Sequence, residues 1–302
     1  MMKFGIFSSK SFSIKTILCV LLVVAGFCLT SFFMMLVLYV SNPESVFSGQ
    51  MPILSGQLLR IIQTVQSFFV FILPALLFAW LADKNPTGYL YFEKKNKTLV
   101  IMLVVIASLV VIPFINRLAY INEQMTFPDF LSGLEHRIRK SEKTLQETMN
   151  VMLQMDSPVI LLYNIFLFGV LAAVGEELLF RGVIQRLIAD ASKNVHIGIW
   201  AAGFIFSAIH FQFFDGFFPR LLLGAWFGYL LYWSKSLWLP ILAHFVNNAT
   251  AVVISYMQQC GVIDSQADTI GKDDMILSGI SIIVFGIVTL AIYKFAKCEN
   301  DD

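Results

Sequence analysis

Eight apolar runs constrain this chain more than anything else in it. They fall at about residues 16–40, 58–81, 98–115, 158–189, 196–214, 219–233, 237–257 and 275–295. About 20 apolar residues cross a hydrocarbon core as a helix, which satisfies its own backbone hydrogen bonds where no water can. The expected fold is therefore an all-α polytopic membrane protein with about eight transmembrane helices. Composition agrees: 58% of residues are hydrophobic and 14% charged, against about 25% charged in soluble domains. A net charge of +1 provides no basic field, which argues against a nucleic-acid partner.

The N-terminal run follows Lys3, Lys10 and Lys15. It is too long for a signal-peptide core of about 7–15 residues, so it reads as a retained span. Lysines and arginines divide thirteen to seven between the two sides if the N-terminus is cytoplasmic. The positive-inside rule then puts both termini in the cytoplasm of a plasma membrane protein. Arg60, at a span end, is left out of that count.

Residues 116–157 form the longest polar stretch. Leu134, Ile138, Leu145, Met149 and Met152 fall at helical spacings among charges, the pattern of an amphipathic helix over about 131–152. Two readings stand: a helix lying in the interface beside the site, or a solvated cap packed on a loop. His136 reads as a surface residue. Cys19, Cys28, Cys260 and Cys298 show no CxxC spacing and read as small buried hydrophobes, with neither a disulfide framework nor a zinc–thiolate site. Pro74 is a candidate kink.

The fourth run carries the charges that need explaining. It begins at Pro158 and passes through Gly175-Glu176-Glu177-Leu178-Leu179-Phe180-Arg181. At over 30 residues it would be about 48 Å long, so it should project past the membrane core or bend near Gly169 or Gly175. A buried carboxylate costs about 2.5–3.5 kcal/mol on insertion scales. Glu177 and Arg181 stand four apart, in the favourable acid-before-base order. That pairing leaves Glu176, turned about 100° away, as the reactive carboxylate and Glu177 as its orienter.

Two of the four histidines lie in the runs that follow. Phe206 and His210 are four apart in one, and His244 and Asn248 four apart in another, with Asn247 off that face. A carboxylate, two imidazoles and an amide form a hydrolytic set: a base for water, an acid for the leaving amine, donors for an oxyanion. Glu176, His210 and His244 are also competent zinc ligands, with an open position for water. HExxH is absent.

These three segments resemble the three motifs of the CPBP family of intramembrane proteases, also called ABI. That family groups the CAAX prenyl endopeptidases with bacterial bacteriocin-processing or immunity-type relatives. Its EExxxR, FxxxH and HxxxN match Glu176, Glu177 and Arg181, then Phe206 and His210, then His244 and Asn248. The resemblance covers about residues 159–254. It implies an eight-helix fold with an intramembrane catalytic cavity open to the cytosol, and endopeptidase action on membrane-associated proteins or peptides. It also implies that Glu176 and His210 activate water while His244 and Asn248 form the oxyanion hole; a divalent metal such as zinc is compatible but not required. The chain then divides into N-terminal helices with the amphipathic segment (1–157), a CAAX protease-like core (158–257), and a polar loop with the last span (258–302). Two other classes remain open: a proton-coupled transporter, since Glu, His and Arg in spans build proton relays, and a non-catalytic scaffold or immunity protein. The GxxxG of Gly224 and Gly228 permits close helix approach.

Overall fold

The computed structural model describes residues 5–41, 54–264 and 269–298. Lys3 and most of the polar segment after the first run lie outside the described residues, as does the side chain of Cys298. Every described element is helical, with no strands among the described residues. Ten helices matter here: α1 (Phe12–Ser41), α2 (Gly56–Ala82), α3 (Thr98–Val110), α4 (Ile112–Glu123), α5 (Ser132–Met152), α6 (Pro158–Ser192), α7 (Val195–Ala208), α8 (Phe217–Ser234), α9 (Trp238–Gln259) and α10 (Met275–Cys298).

Each expected apolar run is a helix, but not each is a span. Five helices are long and apolar enough to cross a membrane: α1, α2, α6, α9 and α10. A sixth is reached if α3 and α4, bent by 40° at their junction, count as one. Of the eight expected spans, α7 and α8 are the two that fall short of that length and apolarity. α7 has only 14 residues, about 21 Å of rise against a core of about 30 Å. α8 carries Arg220 and the amphipathic rings of Trp226, Tyr229, Tyr232 and Trp233, and much of it is buried in protein rather than turned outward. The fifth run was expected to reach Phe214. It stops at Ala208, and residues 209–216 form a loop.

α6 sits at the centre, packed against α2, α7, α8 and α9. It neither breaks nor runs straight. Two π-helical stretches, Ile165–Leu171 and Leu178–Gln185, flank the turn that holds the glutamates. A π-helical turn takes in an extra residue and re-aims the side chains beyond it, and such turns are frequent at functional sites. α2 has its own π-helical stretch, Ser67–Ile72, directly before Pro74. There the widened turn accommodates the proline that the sequence marked as a kink. Gly175 lets α2 come close: a Cβ on it would lie 3.0 Å from Phe71 Cβ.

Two apolar cores flank α6. One joins α1, α2 and α6 around Phe78, Ala79, Leu179 and Val183; the other joins α3, α8, α9 and α10 around Val104, Leu230, Ala243 and Ile292. The outer faces of α1 and α10 are apolar and exposed, as helices facing lipid require. Cys19 is buried, but Cys28 and Cys260 are exposed. The expectation of buried cysteines fails at Cys28 because it lies on the outward face of α1.

α5, the amphipathic segment, packs on the loop at residues 209–216. Its Glu142 is buried and accepts from the Phe214 backbone N–H at 2.8 Å. Arg139 lies 4.1 Å over the Phe214 ring. The far end of α5 is tied down by Arg60, which is only 6% exposed. Its Nε donates to the Met152 carbonyl at 2.9 Å and to Asn164 Oδ1 at 3.1 Å; its Nη2 donates to the Gln154 carbonyl at 2.6 Å. His136 is exposed, as expected.

Candidate active site

Glu177 is fully buried, and so is Arg181. Arg181 Nη1 donates to Glu177 Oε1 at 2.8 Å. Its Nη2 donates to the Gly224 carbonyl at 2.9 Å. One turn further along α6, Gln185 Nε2 donates to the Gly228 carbonyl at 3.2 Å. The GxxxG of α8 thus presents two carbonyls to two polar side chains of α6. It does so because nothing projects between them: a Cβ on Gly224 would lie 3.1 Å from Arg181 Nη2.

His244 stands between the two glutamates. Its Nδ1 lies 2.8 Å from Glu177 Oε1, and its Nε2 lies 3.7 Å from Glu176 Oε2. A carboxylate only accepts, so Nδ1 carries a proton and donates it to Glu177. The 3.7 Å separation is too long for a hydrogen bond. It leaves room for one oxygen atom within about 2.8 Å of both groups. The ring stacks on Phe227 at 5.2 Å, which fixes its plane.

His210 lies just past the end of α7, in the loop rather than in the helix where the sequence put it. Its Nδ1 is 2.7 Å from the Phe206 carbonyl. A carbonyl only accepts, so Nδ1 bears the proton and Nε2 keeps its lone pair in the neutral ring. Phe206 packs edge-on against both histidines, with centroids 5.0 Å from His210 and 5.9 Å from His244. The Arg181 guanidinium lies 4.7 Å over the same ring. Glu176 and His244 both act electrostatically on His210.

Asn248 is on α9 but is engaged elsewhere. Its Nδ2 donates to the Phe168 carbonyl, in the first π-helical stretch of α6, at 2.9 Å. Asn247 donates to Asn248 Oδ1 at 3.3 Å. Four of the six expected residues, Glu176, Glu177, Arg181 and His244, are linked directly; His210 joins them through Phe206, and Asn248 holds α9 to α6.

Among the described residues no three His, Cys, Asp or Glu side chains converge as a metal-binding group. Glu176, His210 and His244 are therefore not gathered into a zinc-binding group in this structure.

Nothing in the motif spacing signals the harness around His210. Phe211, directly after it, has φ +54°, a conformation costly for a bulky side chain. Polar groups from four helices hold the loop, three of them buried. Asn122 of α4 donates to the Phe213 carbonyl and accepts from Phe218 N–H, at 2.9 and 3.0 Å. Glu142 of α5 takes Phe214 N–H. Ser207 of α7 donates to the Phe217 carbonyl at 2.6 Å. Arg220 of α8 donates to the carbonyls of Gln212 and Asp215. A cleft of about 690 Å³ ends at His210 and Phe211; its walls are mostly apolar side chains of α1, α2, α6 and α7.

Residues 158–250 match the family described as type II CAAX prenyl endopeptidase Rce1-like. The uncharacterized protein YpbD of Bacillus subtilis (strain 168) is 34% identical over 89 residues. That stretch is 28% of this chain and 42% of the relative, so the match spans less than half the length of either. No solved structure matches the chain.

Proposed function

We propose that this protein, whose residues 158–250 match the family described as type II CAAX prenyl endopeptidase Rce1-like, is an intramembrane endopeptidase. It cuts peptide bonds of membrane-associated proteins or peptides, from a plasma membrane position with both termini in the cytoplasm. The observation that carries the reading is the gap between Glu176 Oε2 and His244 Nε2, in a site that Glu177 and Arg181 hold rigid.

A water in that gap is the nucleophile. Glu176 takes one of its protons as the oxygen attacks the scissile carbonyl carbon. His210 Nε2, unprotonated in the neutral ring, is a second acceptor for that proton. The carbonyl oxygen becomes an oxyanion. His244 faces it through Nε2, its Nδ1 being held by Glu177. Asn248 has a second amide N–H beyond the one given to Phe168. When the intermediate collapses, the C–N bond breaks and the proton returns to the leaving amine.

Glu176→Gln and His210→Ala in the purified protein test this. Each is expected to lower cleavage of a membrane-anchored peptide by about 10²-fold or more, with the melting midpoint unchanged. Turnover at the wild-type rate in either variant overturns the reading. Comparative proteomics of cells carrying wild-type or Glu176→Gln protein would then identify the uncut substrates.

A further inference from the structure

Away from the cleft, three loops meet at one end of the bundle. Leu237 N–H donates to the Tyr91 carbonyl at 3.0 Å, and Trp238 Nε1 donates to the Phe92 carbonyl at 3.3 Å. Arg186 Nη1 donates to the Tyr89 carbonyl at 2.7 Å. Residues 83–97, the α6–α7 junction and the α8–α9 junction are thereby joined. Between them lies a cavity of about 270 Å³. That is just below the roughly 300–1,000 Å³ of small-molecule pockets, a size suited to a small polar group.

Four cations line it, Arg181, Arg186, Lys193 and Lys235, against one acid, Asp190. Only Arg181 has a carboxylate at ion-pair distance among the described residues. Lys235 is held below the ordinary lysine range by burial and by the neighbouring Lys94 charge. Two fully or nearly buried side chains also line the cavity with an atom left without a partner: Nε of Arg181, a donor, and Oε1 of Gln185. Tyr91 and Tyr232 are among the lining residues, and Trp238 beside them is exposed, as in the aromatic belt found at headgroup depth.

We propose that this cavity binds a phosphate group, presented by an anionic lipid headgroup. Basic pockets between transmembrane helices suit such headgroups, and cations without acidic partners take a phosphate's oxygens at little cost. The inner end of the site is Arg181, which also holds Glu177. A bound headgroup therefore stiffens the arginine from the side opposite the glutamate. The proposal does not depend on peptidase activity, and neither does its test.

The test is the melting midpoint of the full chain in phosphatidylcholine vesicles, with and without added phosphatidylglycerol. The anionic lipid is expected to raise the midpoint by about 3 °C or more. Lys193→Gln with Lys235→Gln, both at exposed positions, should remove most of that gain. Lys84→Gln with Lys95→Gln removes the same charge outside the cavity and should keep it. Inorganic phosphate added to phosphatidylcholine vesicles separates the sources. An equal gain from it supports the site with a free anion as occupant; no gain supports the lipid. The proposal is overturned if wild type shows no gain from either, or if the cavity pair and the control pair lose it equally.

Discussion

Glu177–Arg181 on α6 and Glu135–Arg139 on α5 are the same pair in two solvents. Both are acid-before-base at a spacing of four, and both close to 2.8 Å. The first has both side chains at 0% exposure; the second leaves Arg139 36% exposed. Local geometry does not distinguish them. Surroundings do: the α6 pair has the Gly224 carbonyl, His244 and two aromatic rings around it, while the α5 pair is partly exposed. A buried pair resists loss of one partner because the other is left as an uncompensated charge. An exposed pair is re-solvated by water.

The largest effect should come from breaking the buried pair. Arg181→Met leaves Glu177 unpaired in an apolar core, a cost of about 3–5 kcal/mol. The variant should fail to accumulate as folded protein, or melt far below wild type in thermal scans. Arg139→Met should move the midpoint by much less, because the Glu135 it leaves behind is reached by water. Equal shifts would mean that burial is not what separates the two pairs.

Arg60 sharpens the comparison, as a buried arginine with no acidic partner among its bonds. It gives its donors to two carbonyls at the end of α5 and to Asn164. Arg60→Met should cost about 2–3 kcal/mol, the range for charge-assisted hydrogen bonds. Its effect should be local: hydrogen exchange should rise at residues 150–156 while the Glu177–Arg181 region stays protected. A loss of protection spread evenly over the chain would contradict this.

Glu142 comes next. Glu142→Ala removes the acceptor for Phe214 N–H and should cost about 1–2 kcal/mol. Glu142→Gln keeps an acceptor oxygen and should restore most of it. If the loop positions His210, cleavage should fall in the alanine variant and recover in the glutamine one. Recovery of stability without recovery of cleavage would separate the loop from the chemistry.

These cases mark where the sequence was readable. Glu177–Arg181 was legible because both partners lie on one helix, four apart, in a run where charge is conspicuous. The Phe206–His210 and His244–Asn248 pairs were legible for the same reason, although His210 proved to lie beyond the helix end and Asn248 to bond Phe168. Arg60 was not legible: its partners are 92 to 104 residues away, and the motif spacing of one helix says nothing about them. Glu142 looks like every other charge on an amphipathic helix; only packing singles it out. The count of spans was legible only in part, because an apolar run in the sequence does not give the length of the helix it forms: the fifth run stops at Ala208.

The smallest effect is a titration of the exposed pair. The Phe127 backbone N–H donates to Glu135 Oε2 at 2.7 Å, and Arg139 Nε donates to Oε1. The first of these, then the second, holds the Glu135 carboxyl below the ordinary glutamate range. A carboxyl depressed in the folded state stabilises it above the unfolded-state value and loses that contribution as pH falls through the folded-state value. The corner joining residues 123–127 to α5 should therefore loosen under acid, seen as faster hydrogen exchange at Phe127. Arg139 also donates to the carbonyls of Glu123 and Met125, so the corner should loosen without detaching. Glu135→Gln, which cannot titrate there, should abolish the pH dependence. If exchange at Phe127 stays flat with pH in the wild type, the Glu135–Arg139 pair holds nothing in place, and its contrast with the buried Glu177–Arg181 pair widens.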